Sequence, residues 1–195
     1  MKRVAIWNGG PVPEELGGGT RGNSKFNPGF DIALLSEEVR EFYLALANND
    51  LVEMLDAVCD MRFVYEGIQF KFGCTTYSYQ AASIDSFVEN DKAFARITDY
   101  YNYHFNAADD LINQEIYKRY GENLFGDFDA IYKIKSRSYD AVCAANEQKG
   151  TAKDENGKTM KGYNWVNPAE AIAQIIEEEI AASKAMKDKI KATGK

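Results

Sequence analysis

Histidine is nearly missing from this chain, with His104 the single example in 195 residues. Helical di-metal oxidoreductases use a Glu-x-x-His ligand pair twice, which one histidine cannot supply. His104 itself sits in the aromatic run YYNYHF and reads as a packed or surface group rather than a ligand. Cysteine is scarce too. Cys59, Cys74 and Cys143 show no metal-binding spacing and cannot all pair with one another, so reduced thiols are expected, with Cys59 in the core. No stretch approaches the roughly 18 apolar residues of a membrane span, and the first residues carry no basic-then-apolar leader. A soluble, cytoplasmic protein without a membrane partner is the expectation. Positive charge is also short, with 23 Lys and Arg against 30 Asp and Glu and a net charge of −7. That balance argues against binding the backbone of a nucleic-acid polymer. It leaves a nucleotide open, because a triphosphate carried with its metal ions has part of its charge cancelled.

Proline is rare, and three of the four prolines fall in the Gly-rich first 28 residues, which are expected to form an irregular arm. Beyond them, helical periodicity dominates. Ile32, Leu35, Val39, Phe42 and Leu46 make an apolar stripe, predicting a helix over 31–47, and a second helix is predicted over 50–72. Further helices are predicted over 79–95, 108–120 and 127–148, with Gly121 and Gly126 as punctuation. The stretch 98–105, TDYYNYHF, is ambiguous: its tyrosines suit amphipathic packing better than stacking on a base. Asn167-Pro168-Ala169-Glu170 combines an N-cap, a first-turn proline and an acid, predicting a C-terminal helix over 168–192. Its stripe of Ile172, Ile175, Ile176 and Ile180 suits either its own core or a neighbouring subunit. The fold expected is all-α, a helical bundle in a single domain over 1–195, with 45% hydrophobic content for its core.

What the chain has in quantity is acid at helical spacing. Glu38 and Glu41 are three apart and share a helix face with Glu37 beside them, and Glu53, Asp56 and Asp60 share a face of the next helix. Asn48-Asn49-Asp50 makes a tight turn, so an antiparallel hairpin is expected. With a rise of about 1.5 Å per residue and the turn centred near Asn49, Glu38 is level with Asp60 and Glu41 with Asp56, while Glu53 lies nearer the turn. Asp50-x-x-Glu53 also fits a capping pattern, which lowers Glu53 as a ligand. A solvated acidic face would interleave basic residues, yet only Arg40 and Arg62 occur over 36–66. Facing carboxylates are tolerable when a cation neutralises them, and oxygen-only ligands select Mg²⁺ or Mn²⁺.

The segment resembles the core of the all-α nucleoside triphosphate pyrophosphatases, the MazG-like superfamily, whose mark is EExxE followed after a turn by ExxD. Glu37-Glu38-x-x-Glu41 matches the first element and Glu53-Met-Leu-Asp56 the second, with a short gap of eleven residues. An alternative alignment, with the run MRFVYEGIQFKFG ending at Gly73, puts Asp60 in place of the family's last metal Asp. Asn146, Lys149 and the run holding Lys161-Gly162, Asn164 and Pro168 resemble a segment of phage-type members, and Pro11-Val12-Pro13 echoes the region ahead of their first helix.

The resemblance implies two or three Mg²⁺ or Mn²⁺ ions on Glu38, Glu41, Glu53, Asp56 and Asp60. It further implies a base at Glu37 or Glu38, and Asn146, Lys149 and Lys161 at the nucleotide. The activity implied is hydrolysis of a nucleoside triphosphate to monophosphate and pyrophosphate by a homo-oligomer, dimer or tetramer, in the host cytoplasm if phage-encoded. Deoxynucleotides are favoured, dGTP first, with dUTP or dCTP hydrolysis or broad nucleotide house-cleaning as alternatives. A helical interaction module without chemistry is the non-enzymatic alternative.

Overall fold

The structure, a computed structural model, describes residues 26–78, 84–125, 127–149 and 160–193. The described residues form five helices and no strand: α1 (Pro28–Ala47), α2 (Leu51–Ser78), α3 (Ile84–Tyr120), α4 (Asp127–Glu147) and α5 (Ala169–Thr193), with a 3-10 turn at Gly121–Asn123. The expected all-α class is therefore what the chain adopts, and none of these helices is long and apolar enough to cross a membrane.

Several boundaries differ from expectation. α1 starts at Pro28 rather than 31, because Asn27 caps it: its Oδ1 accepts Phe30 N–H at 3.3 Å. This is the Asn-Pro start anticipated at Asn167-Pro168, where Ala169 N–H reaches Asn167 Oδ1 at 3.1 Å and Ile172, Ile175, Ile176 and Ile180 are all buried. α2 runs through Gly73 to Ser78 instead of stopping at 72. The two helices expected over 79–95 and 108–120 are one helix of 37 residues, which has neither Gly nor Pro to interrupt it. Its aromatic middle is packing: Tyr101 stacks on Tyr65 at 3.9 Å and on Phe105 at 5.0 Å. The N-terminal arm, including Pro11-Val12-Pro13, lies outside the described residues.

The described residues fall into two compact units. The first takes the residues through Arg40 together with Asp60–Ala107, and the second takes Glu41–Cys59 together with those from Ala108 onward. Both draw on α1 and α2. In the first unit, Phe26, Phe72 and Phe94 form an aromatic cluster, with Phe72 and Phe94 stacked at 4.0 Å. Tyr65 also donates to Thr98 Oγ1 at 2.9 Å, joining α2 to α3. In the second unit the core is aliphatic, with Ile112, Ile116, Ile134 and Ile172 fully buried. There α5 packs along α4, and the 3-10 turn is stitched to α5 by Phe125 N–H donating to Ser183 Oγ at 2.6 Å. Cys59 and Cys143 are buried free thiols, as expected of core positions.

Candidate metal and nucleotide site

The turn between α1 and α2 is built by local chemistry. Asn49 is left-handed, with φ 57°, and Asp50 N–H reaches back to Ala45 O at 3.0 Å while Asn49 N–H reaches Leu46 O at 3.0 Å. These are the two bonds of a Schellman motif, which satisfies the last carbonyls of α1. Asp50 then turns to the next helix: its Oδ1 accepts Val52 N–H at 3.1 Å and Glu53 N–H at 3.2 Å. The capping role read from Asp50-x-x-Glu53 is thus real on the Asp50 side. Arg119 of α3 braces the turn, donating to Asn49 O at 2.7 Å and Asn49 Oδ1 at 2.8 Å.

At the other end of these helices, Lys71 of α2 donates to Asp31 of α1, forty residues away in sequence. With three residues in the turn, that pairing makes α1 and α2 antiparallel. Asp31 is fully buried and Lys71 is 8% exposed, and Asp31 Oδ2 also accepts Asn27 N–H at 3.0 Å. Sequence reasoning missed this pair. Its signal was a lone Lys among the aromatics of QFKFG, on a helix long enough to return to the start of α1.

The six acids divide evenly between the units. Glu37, Glu38 and Asp60 belong to the first, and Glu41, Glu53 and Asp56 to the second. Glu38 is 7% exposed, and Glu37 and Asp60 are half-buried. In the second unit Asp56 is half-buried, whereas Glu41 and Glu53 are exposed. A further acid on α2 that the motif omits, Glu66, is buried and holds Arg62 at 2.9 Å. The donor chemistry, all oxygen, suits a hard divalent ion. Among the described residues, however, no three His, Cys, Asp or Glu side chains stand together as a group able to hold one. The acids therefore fit the ion by donor type and not as an assembled cage.

The residues expected to meet the nucleotide all belong to the second unit. Asn146 is buried in the last turn of α4, and Lys149 follows that helix with its N–H on Asn146 O at 3.1 Å. Lys161 is exposed and lies 3.8 Å over the Trp165 ring, a cation–π contact. Val166 N–H donates to Gln148 Oε1 at 3.3 Å, which ties the chain around Trp165 to the end of α4 beside Lys149. Residues 150–159, including the Gly157-Lys158 turn, lie outside the described residues. His104 packs between Tyr100 and Tyr103, at 4.4 and 5.0 Å, and burial pushes its pKa down. That is the packed residue expected of it.

No family model, curated protein or solved structure matches the chain.

Proposed function

We propose that this chain is a metal-dependent nucleoside triphosphate pyrophosphohydrolase. The observation that carries the reading is the burial of its acids on antiparallel helices: Glu38 is buried and Glu37, Asp56 and Asp60 are half-buried. A solvated acidic face would expose them all, and carboxylates give up water only where something compensates their charge. The carboxylates proposed to hold metal are Glu38, Glu41, Glu53, Asp56 and Asp60, with exposed Glu53 the weakest member. Bound Mg²⁺ or Mn²⁺, two or three ions, supplies charge neutralisation at the triphosphate and an acidified water.

In this reading the water oxygen bonds to the α-phosphorus as the bond from that phosphorus to the α,β-bridging oxygen breaks, and pyrophosphate leaves with the electron pair. Glu37 or Glu38 takes the water's proton. Lys149 offsets charge on the leaving pyrophosphate, and Asn146 and Lys161 position the nucleotide. Deoxynucleotides, dGTP first, remain the favoured substrates, and a dimer or tetramer the favoured assembly.

Pyrophosphate release from a panel of canonical and modified triphosphates, with Mn²⁺ calorimetry alongside, tests the proposal. Glu41→Ala and Asp56→Ala are expected to abolish release while helical circular dichroism persists. Full activity in either would falsify the ligand set. Calorimetry without saturable Mn²⁺ binding would favour the helical interaction module instead.

A further inference from the structure

Away from the acidic helices, the second unit carries a cavity of about 480 Å³ between α3 and α4. That volume lies within the roughly 300–1,000 Å³ of small-molecule sites. Three of its lining residues are aromatic: Tyr117 on α3, and Phe128 and Tyr132 one turn apart on α4. Phe128 is 93% and Tyr132 68% exposed, so their ring faces are open to a partner. Tyr117 is seated by a glycine: a Cβ on Gly121 would stand 3.3 Å from the ring's Cδ1. Such rings offer flat, sequence-tolerant stacking surfaces.

The polar lining decides what is stacked. Lys135 is held by Asp109 at 2.8 and 3.0 Å, and Asp129 is held by Lys133 at 2.7 Å. Both charges at the cavity are thus already compensated, and a free phosphate finds no unspent cation there. Asn113 is different. Its Oδ1 accepts from Lys135 at 3.1 Å and its Nδ2 makes one long bond, 3.5 Å, to Asp109. An amide has two N–H groups and two lone pairs, so one donor and one acceptor are left. Adjacent donor and acceptor on an amide match the N6/N7 edge of adenine.

We propose that the α3–α4 cavity binds a neutral planar heteroaromatic ring of the adenine class, stacked on Phe128 and Tyr132 and read along its edge by Asn113. The site is separate from the acids invoked for hydrolysis and does not depend on that reading.

The test is saturation-transfer NMR and calorimetry on the full chain in EDTA, which removes any metal-dependent binding, using adenosine, guanosine, cytidine, thymidine and ATP. Adenosine is expected to bind saturably and more tightly than the other nucleosides. Phe128→Ala and Tyr132→Ala, both at exposed positions, should weaken it by about tenfold or more with the melting curve unchanged. Asn113→Ala should erase the preference for adenosine. Three results would each overturn the proposal: no saturable binding of any nucleoside, binding indifferent to both ring variants, or ATP binding far more tightly than adenosine.

Discussion

Removing the cation from the buried pair at the far end of the hairpin should be among the most costly single changes in the first unit. In Lys71→Met the stem volume is nearly kept, so packing against Phe30, whose ring centroid is 5.9 Å from the Lys71 Nζ, changes little. What changes is the charge. Asp31, fully buried, would keep only the Asn27 N–H at 3.0 Å to balance its carboxylate. Stripping one partner from a buried pair costs about 3–5 kcal/mol, because the other charge is left uncompensated. At about 2–4 °C per kcal/mol for a chain this long, melting should fall by about 6–20 °C. Asp31→Asn combined with Lys71→Met removes both charges while the amide oxygen still accepts from Asn27. The double variant should therefore be more stable than Lys71→Met alone, with a coupling energy of about 2 kcal/mol or more. Urea unfolding followed by far-UV circular dichroism measures all three variants. Should Lys71→Met fall within about 1 kcal/mol of wild type, or the two changes simply add, the pair is not energetically buried and the reasoning fails.

Two other perturbations have signs that follow from the structure. Asn49→Gly should stay within about 0.5 kcal/mol of wild type in urea unfolding, since glycine suits the left-handed position and Arg119 keeps its bond to the residue 49 carbonyl. Asn49→Val should lose about 1–2 kcal/mol for forcing a β-branched residue into that conformation. Arg137 clasps Glu178 and Glu179 at 2.6 Å each, and its bond to Glu178 holds that carboxyl below the ordinary glutamate value. A depressed carboxyl contributes stability above its unfolded pKa and loses it as pH falls through the folded one. The stability gap between wild type and Arg137→Gln should accordingly be present at about pH 7, shrink once pH drops below the ordinary glutamate value, and close below the folded value. Urea midpoints across an acid series, at low salt because the pair is half exposed, measure it.

Much of the fold was legible because helices are local. Stripe periodicity located the helices, and Asn167-Pro168 marked the start of α5 correctly. The same cap at Asn27-Pro28 was overlooked because the Gly-rich chain before it masked the signal, and α3 was divided because aromatic residues read ambiguously between packing and recognition. Tertiary contact with Tyr65 resolves that: Tyr101 is packed while Tyr103 stays exposed. For the candidate site, spacing could say which acids share a helix face. It could not say how far each is buried, since exposure depends on what packs across the helix.

Taken alone, the amino-acid order determined the helical class, the left-handed turn at Asn49, the cap at Asp50 and the facing of the acids, all consequences of backbone sterics and hydrogen bonds within a few residues. Only tertiary structure decided that Glu38 is buried while Glu41, three residues on, is exposed. The pairing of Lys71 with Asp31 and the opening of a ring-lined cavity between α3 and α4 were likewise tertiary outcomes. Burial and long-range pairing are properties of the partner surface, and no local sequence window contains it.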